Sequence, residues 1–211
     1  MLDLALNSFI TLFVIIDPVG LIPIYQGLAQ KAGWRLRGHL ALRGVGIGGG
    51  VLLLFAVAGD PLLHALGVSL PAFRAAGGAM LFLIGLEMMF QRRTQRRSRS
   101  ADAVEETHPE DVSIFPLAMP LIAGPGAITS VMLMMGRAQH DWRAQAVVIG
   151  TLIAVLAITY ATFAASNRLS KLVGPTLSEV LTRLLGIILA AVGVEYLVGG
   201  LYGAWAAAAA R

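Results

Sequence analysis

Asp17-Pro18-Val19-Gly20 interrupts the first apolar stretch of this chain, and Gly124-Pro125-Gly126-Ala127 interrupts the fourth. The two prolines lie 107 positions apart, and Gly67 and Gly174 keep that offset. After a one-residue insertion, Gly78 and Gly186, Gly85 and Gly193, and Glu87 and Glu195 follow at offset 108. The chain therefore reads as two similar halves, each opening on a broken helix. That pattern belongs to secondary transporters built from structural repeats.

Composition places the chain in a bilayer. Of its 211 residues 57% are hydrophobic and 13% charged, with mean hydropathy +0.76. A soluble domain carries about 25% charged residues. The sequence has no cysteine, which excludes disulfides and thiolate metal sites. Met1-Leu2-Asp3-Leu4 lacks a basic n-region, so the first apolar run reads as a retained membrane helix rather than a cleaved signal. The pI near 10.0 does not point to nucleic acid, because the basic residues sit in short loops between apolar segments.

Six apolar segments are expected, roughly 4–30, 40–58, 70–90, 112–136, 144–165 and 177–203, against about 20 residues for a straight crossing. Twelve Lys and Arg residues fall on the side of loops 1–2, 3–4 and 5–6, and four on the other. The positive-inside rule puts the first set in the cytoplasm and both termini outside it. Three crossings per half is an odd number, so the halves are expected to be inverted relative to each other. The expected fold is all-α: six transmembrane helices as two inverted three-helix repeats, 1–90 and 112–211, with helices 1 and 4 broken. A charged cytoplasmic linker, 91–111, joins them. It opens with Gln91-Arg92-Arg93-Thr94-Gln95-Arg96-Arg97 and turns acidic at Glu105, Glu106, Glu110 and Asp111. Such a run reads first as a solvated connection with its arginines near headgroups, and second as a regulatory or partner-binding element.

Helix signals support these segments. Gly44 and Gly48, and Gly46 and Gly50, form overlapping small-residue patterns that let helix backbones approach. Ser69 and Pro71 read as the start of segment three. Thr176-Leu177-Ser178-Glu179 fits a capping box at the start of segment six.

The breaks carry the expected site. Proline removes an N–H and clashes with the preceding turn, and glycine weakens the helix further. Unwound backbone at membrane depth must be buried in protein or line a wet cavity. Beyond each break, near Gly20–Leu21 and Gly126–Ile128, a half-helix would present N–H groups suited to an anion. Before each break, near Ile15–Ile16 and Ile122–Ala123, free carbonyls would suit a cation or ammonium. Asp17 is the sharpest residue, since a carboxylate at helix centre costs about 2.5–3.5 kcal/mol on insertion scales. No Lys or Arg lies in the centre of another segment to neutralise it. Asp17 then reads as an ammonium ligand, a proton or sodium carrier, or a local cap for the second half-helix. The expected substrate-binding set is Asp17, Pro18 and Gly20 with Gly124, Pro125 and Gly126. Thr129, Ser130, Asn7 and Thr11 join it if their polar groups face the cavity rather than their own backbone. Arg43 with Glu87, and Arg74 with Glu195, read first as structural ion pairs near the helix ends and second as gates.

Four stretches resemble the MarC family of integral membrane proteins: residues 13–24, which carry Asp17-Pro18-Val19-Gly20; residues 71–78, Pro71-Ala72-Phe73-Arg74-Ala75-Ala76-Gly77-Gly78; residues 115–130, around Gly124-Pro125-Gly126; and residues 183–191. The resemblance covers nearly the whole chain. It implies a six-helix inner-membrane protein and, for some members, transport of glycine- or alanine-like substrates. The leading expectation is a secondary transporter of small neutral amino acids, coupled to a proton or sodium ion and without a cofactor. Lipid and a second copy of the chain are the further partners considered. An exporter or channel for another small polar solute or drug is the alternative. An enzyme is not expected, because H-E-x-x-H, G-x-S-x-G and a cysteine nucleophile are all missing, as is a Walker A motif.

Overall fold

The computed structural model describes residues 1–32, 36–93, 97, 113–138, 141–172 and 175–209, and these are helical throughout, apart from short turns and breaks. Helix α1 spans Leu2–Ile16, α2 Ile22–Ala32, α3 Arg37–Ala65 and α4 Leu70–Met89. A proline arm, Ser113–Ile122, leads into α5, Pro125–Arg137. Helices α6 (Trp142–Ala164), α7 (Ser166–Leu172) and α8 (Pro175–Ala209) complete the chain.

Both expected breaks are present. Helix α1 stops at Asp17, whose φ of 56° and ψ of 63° are left-handed. A short polar side chain is among the few that enter that region. At the second break Gly124 is extended (φ −76°, ψ 165°), Pro125 opens α5, and arm and helix meet at a bend of 55°. The arm is itself irregular: Phe115 and Met119 adopt extended dihedrals, as residues preceding proline tend to.

Among the described residues α3, α4, α6 and α8 are long and apolar enough to cross a bilayer, and the arm with α5 passes as a fifth crossing. Helix α1, at 15 residues, is apolar but short. The expected count of six therefore rests on α1 and α2 acting together across their break. Large apolar side chains such as Leu54, Leu83, Leu201 and Trp205 remain exposed, as a lipid-facing surface requires.

The two halves interleave. Helix α1 packs on α5, α6 and α8, the arm packs on α3, and α5 packs on α3 and α4. The most extensive contact joins α4 to α8. It is built on glycines: a Cβ on Gly78 would lie 2.7 Å from the Gly193 carbonyl, and one on Gly193 2.8 Å from the Gly78 carbonyl. Gly85 and Gly186 meet in the same way, at 2.7 and 2.9 Å. Backbone touches backbone there because no side chain stands between. Of the two glycine patterns in α3, one is used. Gly44 and Gly48 receive Leu117 and Ile122 of the arm, while Gly46 and Gly50 face open space.

Ser69 caps α4, its hydroxyl accepting from the Ala72 N–H, with proline in the first turn. Two boundaries differ from expectation. Helix α3 runs through Asp60 and Pro61 to Ala65, where the Asp60–His64 pair (3.8 Å) joins successive turns. Helix α8 begins at Pro175, so Thr176 lies inside it, and Glu179 accepts a 2.8 Å hydrogen bond from Gln91 instead of closing a capping box. Proline suits a first helical position because its missing N–H would have no partner there anyway.

One end of the bundle gathers the end of α2, the start of α3 and the α6–α7 junction. Tyr25 stacks on Phe163 at 4.4 Å and donates to the Arg37 carbonyl at 2.6 Å, and Gln26 donates to the Ser166 carbonyl. Gln91 and Glu179 join the end of α4 to the start of α8. The opposite end of α4 meets the ends of α5 and α8, with Gly136 against Leu70 and Gly203 against Pro71. There Arg74 and Arg137 lie over the Tyr196 ring, at 5.8 and 4.3 Å from its centroid. The acidic part of the linker, from Glu105 to Asp111, and Gly174 lie outside the described residues.

Candidate functional site

Asp17 organises the first break through its own atoms. Its carboxylate Oδ1 accepts from the Gly20 N–H at 3.1 Å, and its carbonyl accepts from the Leu21 N–H at 3.1 Å. The N–H groups expected to be open near Gly20–Leu21 are therefore taken, which realises the local-cap reading of Asp17. Gly20 is required by this arrangement, since a Cβ there would lie 2.7 Å from the Asp17 carboxylate carbon.

The carboxylate also has a counterion, contrary to expectation. Arg97 donates from Nη1 to Asp17 Oδ2 at 3.3 Å and from Nη2 to the Ile16 carbonyl at 3.4 Å. Arg93 donates to the Ile15 carbonyl and, at 3.0 Å, to the Met88 sulfur. Asp17 is 3% exposed and Arg97 9%. The cation comes from the polar linker, not from another apolar segment. Buried against the end of α1, Arg97 is not a solvated headgroup contact. The carbonyl end of α1 does attract cations, as helix C-termini do, and its occupants are the chain's own guanidinium groups.

The second break lies alongside. A Cβ on Gly126 would fall 3.6 Å from Ile15 and 2.5 Å from Ile84, so the start of α5 abuts the end of α1 and the middle of α4. Gly124 has no side chain to cap α5, so its first-turn N–H groups have no N-cap partner. Between these elements is a cavity of about 290 Å³. Gly124, Pro125 and Gly126 line it together with Arg93, Arg97 and Glu87. Apolar wall comes from Ile15, Met80 and Ile84.

The ten residues expected at the site are thus divided. Gly124, Pro125 and Gly126 line the cavity, and Asp17 stands behind Arg97, one residue away from the wall, with Pro18 and Gly20 in its turn. Thr129 is buried against Gly77, with its hydroxyl 3.9 Å from the Met80 sulfur. Ser130 is fully buried, and its hydroxyl has no partner among the described residues. Thr11 is buried on α1, whereas Asn7 is exposed.

Arg93, Arg97 and Glu87 were missed as site residues. The signal was present: two arginines four positions apart follow closely on α4, and an unneutralised carboxylate was waiting for a cation.

A bundle of apolar helices that crosses the bilayer several times, with a charged cavity beside a broken helix, defines a multi-pass integral membrane protein. The chain belongs to the MarC family: the model of the MarC family integral membrane proteins matches residues 2–205. A UPF0056 membrane protein of Methanocaldococcus jannaschii is 34% identical over 198 residues, covering 93% of this chain and 95% of its own. One from Pyrococcus abyssi is 35% identical, covering 93% and 94%. The UPF0056 membrane protein YvbG of Bacillus subtilis is 32% identical, covering 96% of each chain. No solved structure matches.

Proposed function

We propose that this protein is a secondary transporter that moves small neutral amino acids, of glycine or alanine size, across the inner membrane by alternating access. The observation that carries the reading is the cavity between the second break and the end of α1, about 290 Å³ and lined by charged residues and the start of α5. That volume is at the lower end of ligand pockets, which favours a small solute. Charged groups and irregular backbone between apolar helices are expected only at a functional path.

The glycine contacts favour an inverted repeat. Gly78 and Gly186, and Gly85 and Gly193, correspond at offset 108, and the contact of Gly78 with Gly193 becomes that of Gly186 with Gly85 when the halves are exchanged. A pseudo-two-fold axis in the membrane has that property. The sixth crossing would be α1 and α2 together. Both termini would lie outside the cytoplasm. Coupling would use a proton or sodium ion, and a second copy of the chain is the candidate protein partner.

Counterflow of radiolabelled glycine and alanine into liposomes containing the purified protein tests the reading. Saturable exchange that requires internal unlabelled substrate is expected. Non-saturable flux would indicate a channel, and no flux above empty liposomes under proton or sodium gradients would remove the amino acid assignment.

A further inference from the structure

We infer that the cavity recognises a carboxylate, held by Arg93, Arg97 and the first turn of α5, and that Asp17 is a positioning residue for Arg97 rather than a ligand contact. This rests on the reading that the cavity is the solute site.

The Asp17 carboxylate and the last two carbonyls of α1 are engaged within the chain. One Asp17 oxygen accepts from the Gly20 N–H and the other from Arg97. The Ile15 and Ile16 carbonyls accept from Arg93 and Arg97. Asp17 itself does not reach the wall, whereas both guanidinium groups do. A guanidinium has five N–H donors. Among the described residues the bonds formed by Arg93 and Arg97 use two groups on each, and both residues line the cavity. The first turn of α5, which no N-cap side chain closes, lines the same space at Gly126 and Ala127. On the wall itself two guanidinium-bearing residues and the start of α5 stand with one acidic residue, Glu87, while Asp17 pairs with Arg97 from behind. A carboxylate placed there gains charge-assisted hydrogen bonds in surroundings of low dielectric. A cation placed there would find Asp17 already occupied by Arg97 and only Glu87 on the wall to receive it. The ligand class is therefore a small monocarboxylate, with an amino group tolerated and not required.

The purified full-length protein in detergent provides the test. Alanine, propionate, alaninamide and ethylamine are compared as stabilisers against heat and as competitors of radiolabelled alanine. Propionate is expected to stabilise and compete, while alaninamide and ethylamine do neither. Amines that match alanine while propionate is inert would overturn the inference and leave the transport reading standing. Stabilisation by propionate without any alanine binding would do the reverse. If none of the four acts, both fall.

Arg93→Gln is expected to weaken propionate and alanine alike, by roughly tenfold to a hundredfold, the worth of a hydrogen bond to a charged group. Asp17→Asn separates the two roles of the carboxylate. An ammonium ligand would weaken alanine and spare propionate; a group that positions Arg97 weakens both. Should Asp17→Asn fail to fold, the Arg93→Gln comparison and the four wild-type ligands decide the same point.

Discussion

At the scale of single residues, the Asp17–Arg97 pair decides what the first break can do. Removing one partner of a buried pair leaves the other charge uncompensated, which costs about 3–5 kcal/mol. Asp17→Asn and Arg97→Gln are each expected to lower the thermal unfolding midpoint in detergent clearly. The double variant should lose less than the sum of the two, because neither charge is stranded. Strict additivity would show that the two side chains do not interact. Gly20→Ala is expected to be destabilising too, since the new methyl would meet the Asp17 carboxylate. A Gly20→Ala protein as stable as the wild type, with unchanged solute binding, would remove that turn from the site. The residue types of the break were legible in the sequence: proline, glycine and a lone acid in an apolar run have few other uses. The counterion was not, because its charge run looks like any solvated linker until the path of the chain after α4 is known.

At the scale of elements, glycine position separates packing from composition. Gly78→Ala and Gly193→Ala each push a methyl into the backbone of the facing helix, which no rotamer change relieves. Each should force α4 and α8 apart and reduce folded yield. Gly46→Ala and Gly50→Ala point into open space, and each should be neutral or stabilising by up to about 1 kcal/mol from helix propensity. Folded yields from size-exclusion profiles of the four variants, with their melting curves, check this; equal loss in all four would contradict it. Both glycine patterns in α3 looked equivalent as spacing. Only contact with the arm distinguishes Gly44 and Gly48 from Gly46 and Gly50. The arm likewise was readable as an apolar segment with prolines, but its extended residues Phe115 and Met119 follow from where those prolines fall.

At the scale of the whole molecule, the proposed orientation predicts where tags are reached. Epitopes at Met1 and at Arg211 should be labelled from outside intact cells, and a cysteine introduced at Gln91 only after permeabilisation. Labelling of either terminus solely after permeabilisation would reverse the orientation and, with an even number of crossings, would reverse it for both. The contacts at the two ends of the bundle agree with alternating helices. Tyr25, Arg37 and Ser166 meet at one end, and Leu70 and Gly136 at the other. Five crossings, which follow if α1 does not pair with α2 across its break, would place the termini on opposite sides, so the same experiment tests the count.

The sequence by itself determined the solvent, the all-helical class, the two breaks and the family resemblance. Hydropathy, proline and glycine act locally, and their consequences need no knowledge of the fold. Tertiary structure decided which charges meet. Arg93 and Arg97 reach Ile15 and Asp17 at the end of α1 across some eighty positions of chain, and a pairing at that separation depends on how α4 and α1 are placed together. It also decided that the cation-attracting end of α1 is closed by the protein's own side chains, leaving the second break as the open side of the cavity.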